Sequence, residues 1–277
     1  MRFAVCNEMF KGWPHPRVAT TSARLGYHGV EIAPFTLSSD PVSLTASERR
    51  ELQRVFGSAG LEIIGLHWLL AGTTGMSINS PDSAVRDRTA GHLVRLAGLC
   101  RDLGGGVMVF GSPQQRSVGP GGDHAAALDR TVALFRAIAP RFADAGVVLC
   151  FEPLGPTDTD FINKMAEGVA LVESVNHPAF KLHMDVKAMC GSESKPVPDV
   201  IREEGGRYLR HFHANDPNLL GPGMGDYDFA PVATALREIG YDRWVSVETF
   251  VEGPGPEETA RRSIMTLKRT IGGEYAG

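Results

Sequence analysis

The stretch Phe142-Ala-Asp-Ala-Gly146-Val-Val-Leu-Cys-Phe-Glu152-Pro153 contains the elements that decide the fold. A helix-periodic segment ends at Ala145, and Gly146 is suited to cap it because glycine readily adopts the left-handed conformation found at helix ends. The apolar run that follows is typical of a buried strand. The stretch therefore predicts a helix, a glycine cap and a strand that ends in a carboxylate, Glu152.

The same order of elements repeats along the whole chain. The short apolar runs are Phe3–Cys6, Val30–Ala33, Leu61–His67, Val107–Phe110, Val147–Glu152, Lys181–Asp185, Tyr208–His213 and Trp244–Glu248. The helix-periodic stretches lie near 15–25, 45–59, 82–103, 123–145, 161–175, 197–204, 229–239 and 256–270. Alternating strands and helices predict a parallel sheet of the α/β class. Because eight such units use the whole chain, the sequence predicts a single (β/α)8 TIM barrel domain over residues 1–277.

Local patterns support these boundaries and argue against the main alternative. Thr45-Ala-Ser-Glu48 is a capping box, and Asp82 and Asp123 are predicted N-caps of long helices. A doubly wound sheet usually has fewer strands and a glycine-rich first turn. The first turn here, Asn7-Glu-Met-Phe-Lys-Gly12, has no G-x-G-x-x-G pattern.

Composition excludes several classes of protein. The chain has 28 Lys and Arg residues against 32 Asp and Glu residues, which gives a net charge of −4, and 43% of its residues are hydrophobic. This balance is typical of a globular protein and argues against a nucleic-acid partner, since dedicated nucleic-acid binders are usually basic. No apolar run approaches the ~20 residues that a membrane helix needs, and no signal peptide is evident at the N-terminus. We therefore expect no membrane association and a cytoplasmic location.

Four consecutive predicted strands, the fifth to the eighth, end in side chains that can bind a metal ion: Glu152, Asp185, His213 and Glu248. The ends of barrel strands form the active-site face, and inward side chains converge there. Three carboxylates in one pocket would repel each other, and a divalent cation would relieve that repulsion. A set of oxygens with one imidazole suits Mn²⁺ or Mg²⁺, and also Co²⁺ or Zn²⁺. The pattern predicts one divalent metal ion, because ion pairs or helix caps would not require all four.

Strand alternation places further polar residues inside the barrel. His211 and His213 face the same side because side chains repeat every two residues, and His211 should lie deeper as a hydrogen-bonding residue. The same reasoning puts His183 one layer below Asp185. Asp216 follows His213 closely, where it could orient the imidazole ring from behind.

Several residues near strand ends are candidates for binding substrate. Trp68 offers a flat apolar wall, and Arg116, in the loop after the fourth strand, could reach an anionic group. Glu31 faces inward and could bind either a core partner or the substrate. The full set of candidates is Trp13, Glu31, His67, Trp68, Arg116, His183 and Lys187.

The motifs resemble those of the sugar phosphate isomerase/epimerase family. The resemblance rests on the four predicted ligands, on His213-Ala-Asn-Asp216, on the glycine-rich loop before Tyr227-Asp-Phe229, and on Leu236-Arg-Glu-Ile-Gly-Tyr-Asp242. It covers nearly the whole chain. This family of xylose-isomerase-like TIM barrels includes ketose 3-epimerases, inosose dehydratases and, more distantly, endonuclease IV.

The resemblance implies a metal-dependent enzyme of carbohydrate metabolism that acts on a small sugar. In the epimerases one divalent ion, usually Mn²⁺, holds two adjacent oxygens of a ketose and stabilises an enediolate. Two glutamates on opposite faces of the sugar remove and return a proton. Glu152 and Glu248 match those glutamates and are the implied acid/base pair as well as ligands. A homodimer or homotetramer is also typical of the relatives.

Two departures leave the substrate and the exact reaction open. Ala188 and Leu219 stand where similar epimerases carry a substrate-binding His and Arg. An aldose–ketose isomerase would share the enediolate, and an inosose-dehydratase-like lyase would expel hydroxide from a keto-polyol. An endonuclease IV-like repair enzyme fits less well, because histidines of its three-zinc cluster are missing and the net charge attracts phosphates poorly. A non-catalytic metal-binding subunit is the remaining alternative, against which the intact glutamate pair argues.

Overall fold

Eight parallel strands form a closed barrel, in which each strand pairs with the next along the chain and the last pairs with the first. The computed structural model describes residues 1–251 and 253–272. Glu252 and residues 273–277, which the predicted domain includes, lie outside the described residues. The strands are β1 Arg2–Cys6, β2 Gly29–Ile32, β3 Glu62–Leu66, β4 Val107–Phe110, β5 Val148–Phe151, β6 Phe180–Asp185, β7 Leu209–Ala214 and β8 Trp244–Val247. The predicted (β/α)8 barrel is confirmed.

Helices connect the strands and cover the outside of the barrel. They are α1 His15–Leu25, α2 Ala46–Ser58, α3 Ser83–Asp102, α4 His124–Asp144, α5 Met165–Val175, α6 Val186–Ser192, α7 Val197–Val200, α8 Ala230–Glu238 and α9 Pro256–Thr270. Short 3-10 helices lie at Asn7–Phe10, Pro34–Thr36 and Pro41–Ser43. Among the described residues, no helix combines the length and the apolar character needed to cross a membrane.

Two helices differ from the prediction, and one was missed. The stretch predicted over 161–175 becomes helical only at Met165, because the side chain of Glu167 accepts the amides of Asn163 and Lys164 and so caps the helix there. The stretch predicted over 197–204 is α7 followed by a π-helix, Ile201–Gly205. The short helix α6 carries too few residues for a periodic pattern to be recognised in its sequence.

The predicted helix ends are present. The hydroxyl of Thr45 accepts the amide of Glu48, whose carboxylate accepts the amide of Thr45 in return. Asp82 and Asp123 cap α3 and α4 through their side chains. Gly146, after α4, has a φ of 70°, the left-handed conformation that the opening stretch predicts.

The two faces of the strands carry different chemistry. Outward-facing Phe110, Phe151 and Phe180 pack with Phe135 of α4, with ring centroids 4.8–6.3 Å apart. This packing continues around the barrel as a core of buried apolar residues between strands and helices. Inside the barrel, near the carboxyl ends of the strands, buried side chains are instead polar. The apolar shell therefore supports a polar interior.

Register shifts in two strand pairs determine the direction in which some of these polar side chains point. The pairing of β2 with β3 shifts after Val30, and that of β6 with β7 shifts after Leu182. After the second shift His183 lies opposite His211 and Asp185 opposite His213. An extra residue in a strand bends it and redirects the side chains that follow. Both histidines of β7 thereby share the inward face with His183 and Asp185.

We expect Gly65→Ala to lower the free energy of unfolding by about 2–3 kcal/mol, because added atoms in a close-packed site force the backbone to move. A β-carbon on Gly65 of β3 would overlap the carbonyl oxygen of Val107 in the neighbouring strand. Urea denaturation monitored by circular dichroism measures the change.

Gly57→Ala is the matched control. Gly57 is exposed in α2 and has open space around its α-carbon. Alanine there should stabilise the protein by up to about 1 kcal/mol, since it favours the helix. A Gly65→Ala protein as stable as the wild type would contradict this account of the strand contact.

Candidate metal centre and active site

A cavity of about 300 Å³ opens at the carboxyl ends of the strands. All four predicted metal ligands line it. Three of the predicted substrate-binding residues, His67, Trp68 and Lys187, line it as well. The active-site face expected for a barrel is therefore where the sequence-predicted polar residues meet.

Successive strands deliver the four side chains to one place. Glu152 directly follows β5, Asp185 ends β6, His213 lies in β7 and Glu248 directly follows β8. The amide of Glu152 donates to the carbonyl of Phe110 at 3.1 Å, which continues the strand pairing and fixes the position of this residue. Ligand atoms of Glu152, Asp185 and His213 lie within 4.8 Å of one another, and so does a nitrogen of His183. Glu248 Oε2 lies 3.1 Å from His213 Nδ1.

Two of the carboxyl groups are held in an environment that favours the protonated form. Burial raises the pKa of Glu152 well above its usual range, and the charges of Asp185 and Glu248 raise it further. Burial and the charge of Glu248 also raise the pKa of Asp185 to about 6. The amide of Ala188 and the side-chain amide of Asn215 oppose that increase by donating to Asp185 at 2.7 and 2.5 Å. Without a cation, these carboxyl groups therefore bind protons unusually tightly.

Glu248 differs from the other two acids. Burial raises its pKa, but the charge of His213 and the hydrogen bond with its ring outweigh burial, so the pKa lies below its usual value. The indole nitrogen of Trp68 also donates to Glu248 Oε1 at 2.6 Å. Trp68 has a φ of 53°, which is unusual for a residue with a large side chain, and 41% of it is exposed at the mouth of the cavity.

His213 lies between two carboxylates. Its Nδ1 is 3.1 Å from Glu248 Oε2, and its Nε2 is 3.1 Å from Glu31 Oε2. Burial lowers the pKa of this imidazole, but the charges of Glu31 and Glu248 raise it well above the usual value. A cation in the cavity would displace the proton on Nδ1.

The chemistry of this group of donors fits a divalent cation. Three buried carboxyl groups and one imidazole line the same cavity, and burial and mutual repulsion raise the pKa values of Glu152 and Asp185. A buried charge is stable only when it is paired or coordinates a metal. The buried His, Glu and Asp cluster is therefore suited to hold a metal ion, with oxygen as the predominant donor.

Sequence comparison assigns the family. The family model described as Xylose isomerase-like TIM barrel matches residues 20–270. The chain belongs to this family. Among curated relatives, D-psicose 3-epimerase of Agrobacterium fabrum is 28% identical over 243 residues, covering 84% of this chain and 78% of the relative. L-ribulose 3-epimerase of Mesorhizobium japonicum is 30% identical over 177 residues, covering 62% of this chain and 58% of the relative.

Solved structures show the same fold. A crystal structure of a D-psicose 3-epimerase in the presence of D-fructose superposes with a TM-score of 0.86 at 22% identity, covering 99% of this chain and all of that one. An AP endonuclease of family 2 from Brucella melitensis superposes with a TM-score of 0.74 at 23% identity, covering 93% of this chain and 96% of that one. Likenesses at this level of identity show the fold alone.

Several predicted substrate contacts of this xylose isomerase-like barrel do not reach the cavity. Arg116 is fully buried, its Nη1 donates to the backbone oxygen of Glu152 at 2.5 Å, and its guanidinium lies over the ring of Phe151. The prediction that Arg116 meets an anionic substrate is therefore corrected, since the group supports the backbone of Glu152. Trp13 lines a neighbouring cleft, where Arg17 packs over its ring.

Two further candidates lie beneath the cavity floor. Glu31 is completely buried and binds His211 and His213, so of its two predicted roles the structure shows the core partner. His183 is also completely buried, with its Nε2 4.0 Å from Glu152 Oε1. Neither residue lines the cavity. His211 lies at the same depth, with its Nε2 2.8 Å from Glu31 Oε2.

The sequence predicted that Asp216 could orient the ring of His213, but in the structure Asp216 has other partners. Its carboxylate accepts the amide of Asn218 at 3.2 Å, and its backbone closes the turn after β7. Glu31, on the opposite side of the barrel, is the carboxylate that contacts His213 Nε2. The reason is topological: the chain turns away after β7, so a residue three positions later does not lie behind the ring.

Sequence reasoning missed two polar residues of the site. Asn215 donates to Asp185 and also accepts the amide of Lys187 at 2.8 Å, so it joins the ends of β6 and β7. Its position two residues after His213 is the pattern that could have identified it. Glu8, in the first loop, is 2.8 Å from His67 Nε2, and no sequence pattern indicated this pairing.

Lys187 lines the cavity but its charge is already paired. Its ammonium group lies 2.7 Å from Asp158 Oδ2 and 5.1 Å from the centre of the Phe250 ring. It is the one lysine or arginine among the residues that line the cavity in the described part of the chain. The cavity wall therefore offers neutral polar and apolar contacts around the acidic floor.

We expect the affinity for Mn²⁺ to increase with pH through pH 6 and to keep increasing above it, because Glu152 and His213, whose pKa values are raised well above their usual values, must also release protons. Asp185 has a pKa raised to about 6, so below that pH it must release a proton before it can bind a cation. For each proton displaced, the affinity should fall about tenfold per pH unit below the pKa. Isothermal titration calorimetry over a pH series measures this dependence, and Glu62→Gln, at the opposite end of the barrel, is the control. A dissociation constant that does not change with pH would contradict the assignment.

Proposed function

We propose that this protein is a divalent-metal-dependent ketose 3-epimerase, which inverts the carbon next to the carbonyl of a keto sugar through an enediolate. The observation that carries the proposal is that Glu152 and Glu248 line one cavity, with Asp185 and His213 on the two strands between them. The curated relatives named above are 3-epimerases of psicose and ribulose, which supports the same reaction class.

Glu152, Asp185, His213 and Glu248 would hold the ion. Mn²⁺ suits this set of three carboxylates and one imidazole, and Mg²⁺, Co²⁺ and Zn²⁺ also accept such donors. When bound, the ion supplies Lewis-acid stabilisation of the negative charge that develops on the substrate oxygens.

The two glutamates have different environments, and this assigns their roles. Glu248 accepts a hydrogen bond from the indole nitrogen of Trp68, which favours its ionised form and suits it to remove a proton from carbon. The Glu152 carboxyl accepts no hydrogen bond from the described residues, so no protein donor opposes its taking up a proton during the reaction. Glu152 is therefore suited to return a proton from its own side of the cavity. The reverse reaction uses the two groups in the opposite order.

The cavity walls favour an uncharged keto sugar over a sugar phosphate. The charge of Lys187 is matched by Asp158, and Arg116 is turned toward the backbone. The exposed face of Trp68 offers an apolar surface for the C–H face of a sugar ring or chain. A phosphate group would need an unpaired cationic side chain or several free amides to bind.

The other reaction classes receive less support. The relatives named above are epimerases, so an inosose-dehydratase-like lyase is not favoured. The likeness to the AP endonuclease shows the fold alone. The pair of glutamates with contrasting environments argues against a non-catalytic metal-binding subunit.

We expect Glu152→Gln and Glu248→Gln each to reduce epimerisation about a thousandfold or more, because each removes a proton-transfer group while keeping the side-chain shape. The Mn²⁺-bound protein would be incubated with D-psicose, D-fructose and L-ribulose in D₂O. NMR would follow both the conversion to the epimer and the appearance of deuterium at C3.

Glu62→Gln is the matched control, since it makes the same chemical change at an exposed residue of β3 that pairs with Arg2. Bound manganese is measured in every variant, so that loss of the base is separated from loss of the ion. Substantial turnover in either active-site variant would refute the acid/base assignment. A wild-type protein that binds Mn²⁺ but exchanges no deuterium with these ketoses would refute the proposed function.

A further inference from the structure

Glu31 is a buried carboxylate that pairs with no lysine or arginine in the described part of the chain. Imidazole rings surround it instead. Its Oε2 lies 2.8 Å from His211 Nε2 and 3.1 Å from His213 Nε2, and its Oε1 lies 3.7 Å from His67 Nδ1. Burying a carboxylate is costly unless its partners compensate for the lost water. The position of this group at the centre of three histidines therefore calls for a functional explanation.

The contact between Glu31 and His213 spans the inside of the barrel. Glu31 lies in β2 and His213 in β7, and the two strands between them, β1 and β8, contribute small side chains at this level. Cys6 of β1 lies beside Glu31, and Ser246 of β8 lies beside His213. The sulfur of Cys6 and the hydroxyl of Ser246 are 3.4 Å apart. Because these side chains are short, the glutamate and the imidazole can meet above them.

The chemistry of a carboxylate fixes the hydrogen on the ring. An ionised carboxylate only accepts hydrogen bonds, so the Nε2 atoms of His211 and His213 must both donate to Glu31. When His213 is neutral, its single hydrogen is then on Nε2. The lone pair is left on Nδ1, the nitrogen that faces Glu248 and the metal centre.

We propose that Glu31 is a positioning residue for the metal centre: it holds His213 in the tautomer and the orientation that present Nδ1 to the ion. This inference rests on the metal centre of the proposed function but not on the sugar reaction. Histidine ligands generally donate their second ring nitrogen to a carboxylate or carbonyl, which fixes the ring and strengthens the ligand. Here the supporting carboxylate comes from the opposite side of the barrel.

Glu31→Gln tests the inference, because it keeps the shape of the side chain but replaces an obligate acceptor with an amide that also donates. We expect the dissociation constant for Mn²⁺, measured by calorimetry without any sugar, to rise about 10–100-fold. Ser246→Ala is the matched control. It removes a buried polar group at the same depth that bonds Cys6 and not Glu31, and its dissociation constant should equal that of the wild type.

Circular dichroism and thermal unfolding would establish that the Glu31→Gln protein is folded. A folded Glu31→Gln protein with wild-type affinity for Mn²⁺ would overturn the inference. An equal loss of affinity in Ser246→Ala would also overturn it, since the effect would then be a general disturbance of the layer.

A second measurement needs no variant. In wild-type protein labelled with ¹⁵N-histidine and bound to Zn²⁺, which is diamagnetic, NMR reports which ring nitrogen of His213 carries hydrogen. We expect a hydrogen on Nε2 and none on Nδ1. A bare Nε2 would overturn the inference. If both measurements agree with it while no ketose is turned over, the positioning role stands and the proposed sugar reaction fails.

Discussion

The repulsion among three buried carboxylates is the constraint on which the rest of this structure depends. Glu152, Asp185 and Glu248 line one cavity and are almost fully buried, where water screens like charges poorly. Burial and mutual repulsion raise the pKa values of Glu152 and Asp185, His213 lies beside Glu248, and the side-chain amide of Asn215 donates a hydrogen bond to Asp185. A divalent cation would satisfy all of the acids at once. The donors of this site therefore suit a divalent cation, whose positive charge would offset the repulsion among the carboxylates.

The barrel can hold these charges together because the outward and inward faces of its strands have different roles. The outward face of the strands packs against the helices through apolar residues, among them Phe135 and Phe151, and this packing supplies stability. The inward face is then free to carry polar groups at considerable depth. Glu31, His183 and His211 form a polar layer below the ligands, where most barrels place branched apolar side chains. Because side chains alternate along each strand, the apolar residues that stabilise the fold lie outside the barrel and the polar residues of the candidate site lie inside it.

Alternation and strand order made the fold and the convergence of the four candidate ligands predictable, because both depend on residues close in sequence or on adjacent strands. The glycine cap at Gly146 and the capping box at Thr45 could be predicted from neighbouring residues alone. The partners of Glu31 could not, because they lie across the barrel and depend on a register shift that no sequence pattern announces. Arg116 was misassigned because the path of a loop determines its direction, and its guanidinium binds the backbone of Glu152. Asp216 was misassigned for the same reason.

The same difference between strands and loops distinguishes the residues proposed to carry out the reaction from those expected to select the substrate. The four candidate metal ligands, which include the proposed acid/base pair, stand at strand ends, where closure of the barrel fixes their spacing. Residues 188 and 219, which the family resemblance would place near the substrate, lie outside the strands, with Ala188 in α6 and Leu219 in the turn after β7. Lys187, near the start of α6, is paired with Asp158, so the described residues that line the cavity include no unpaired lysine or arginine. Substitutions outside the strands can therefore alter the cavity walls while the four candidate ligands stay in place.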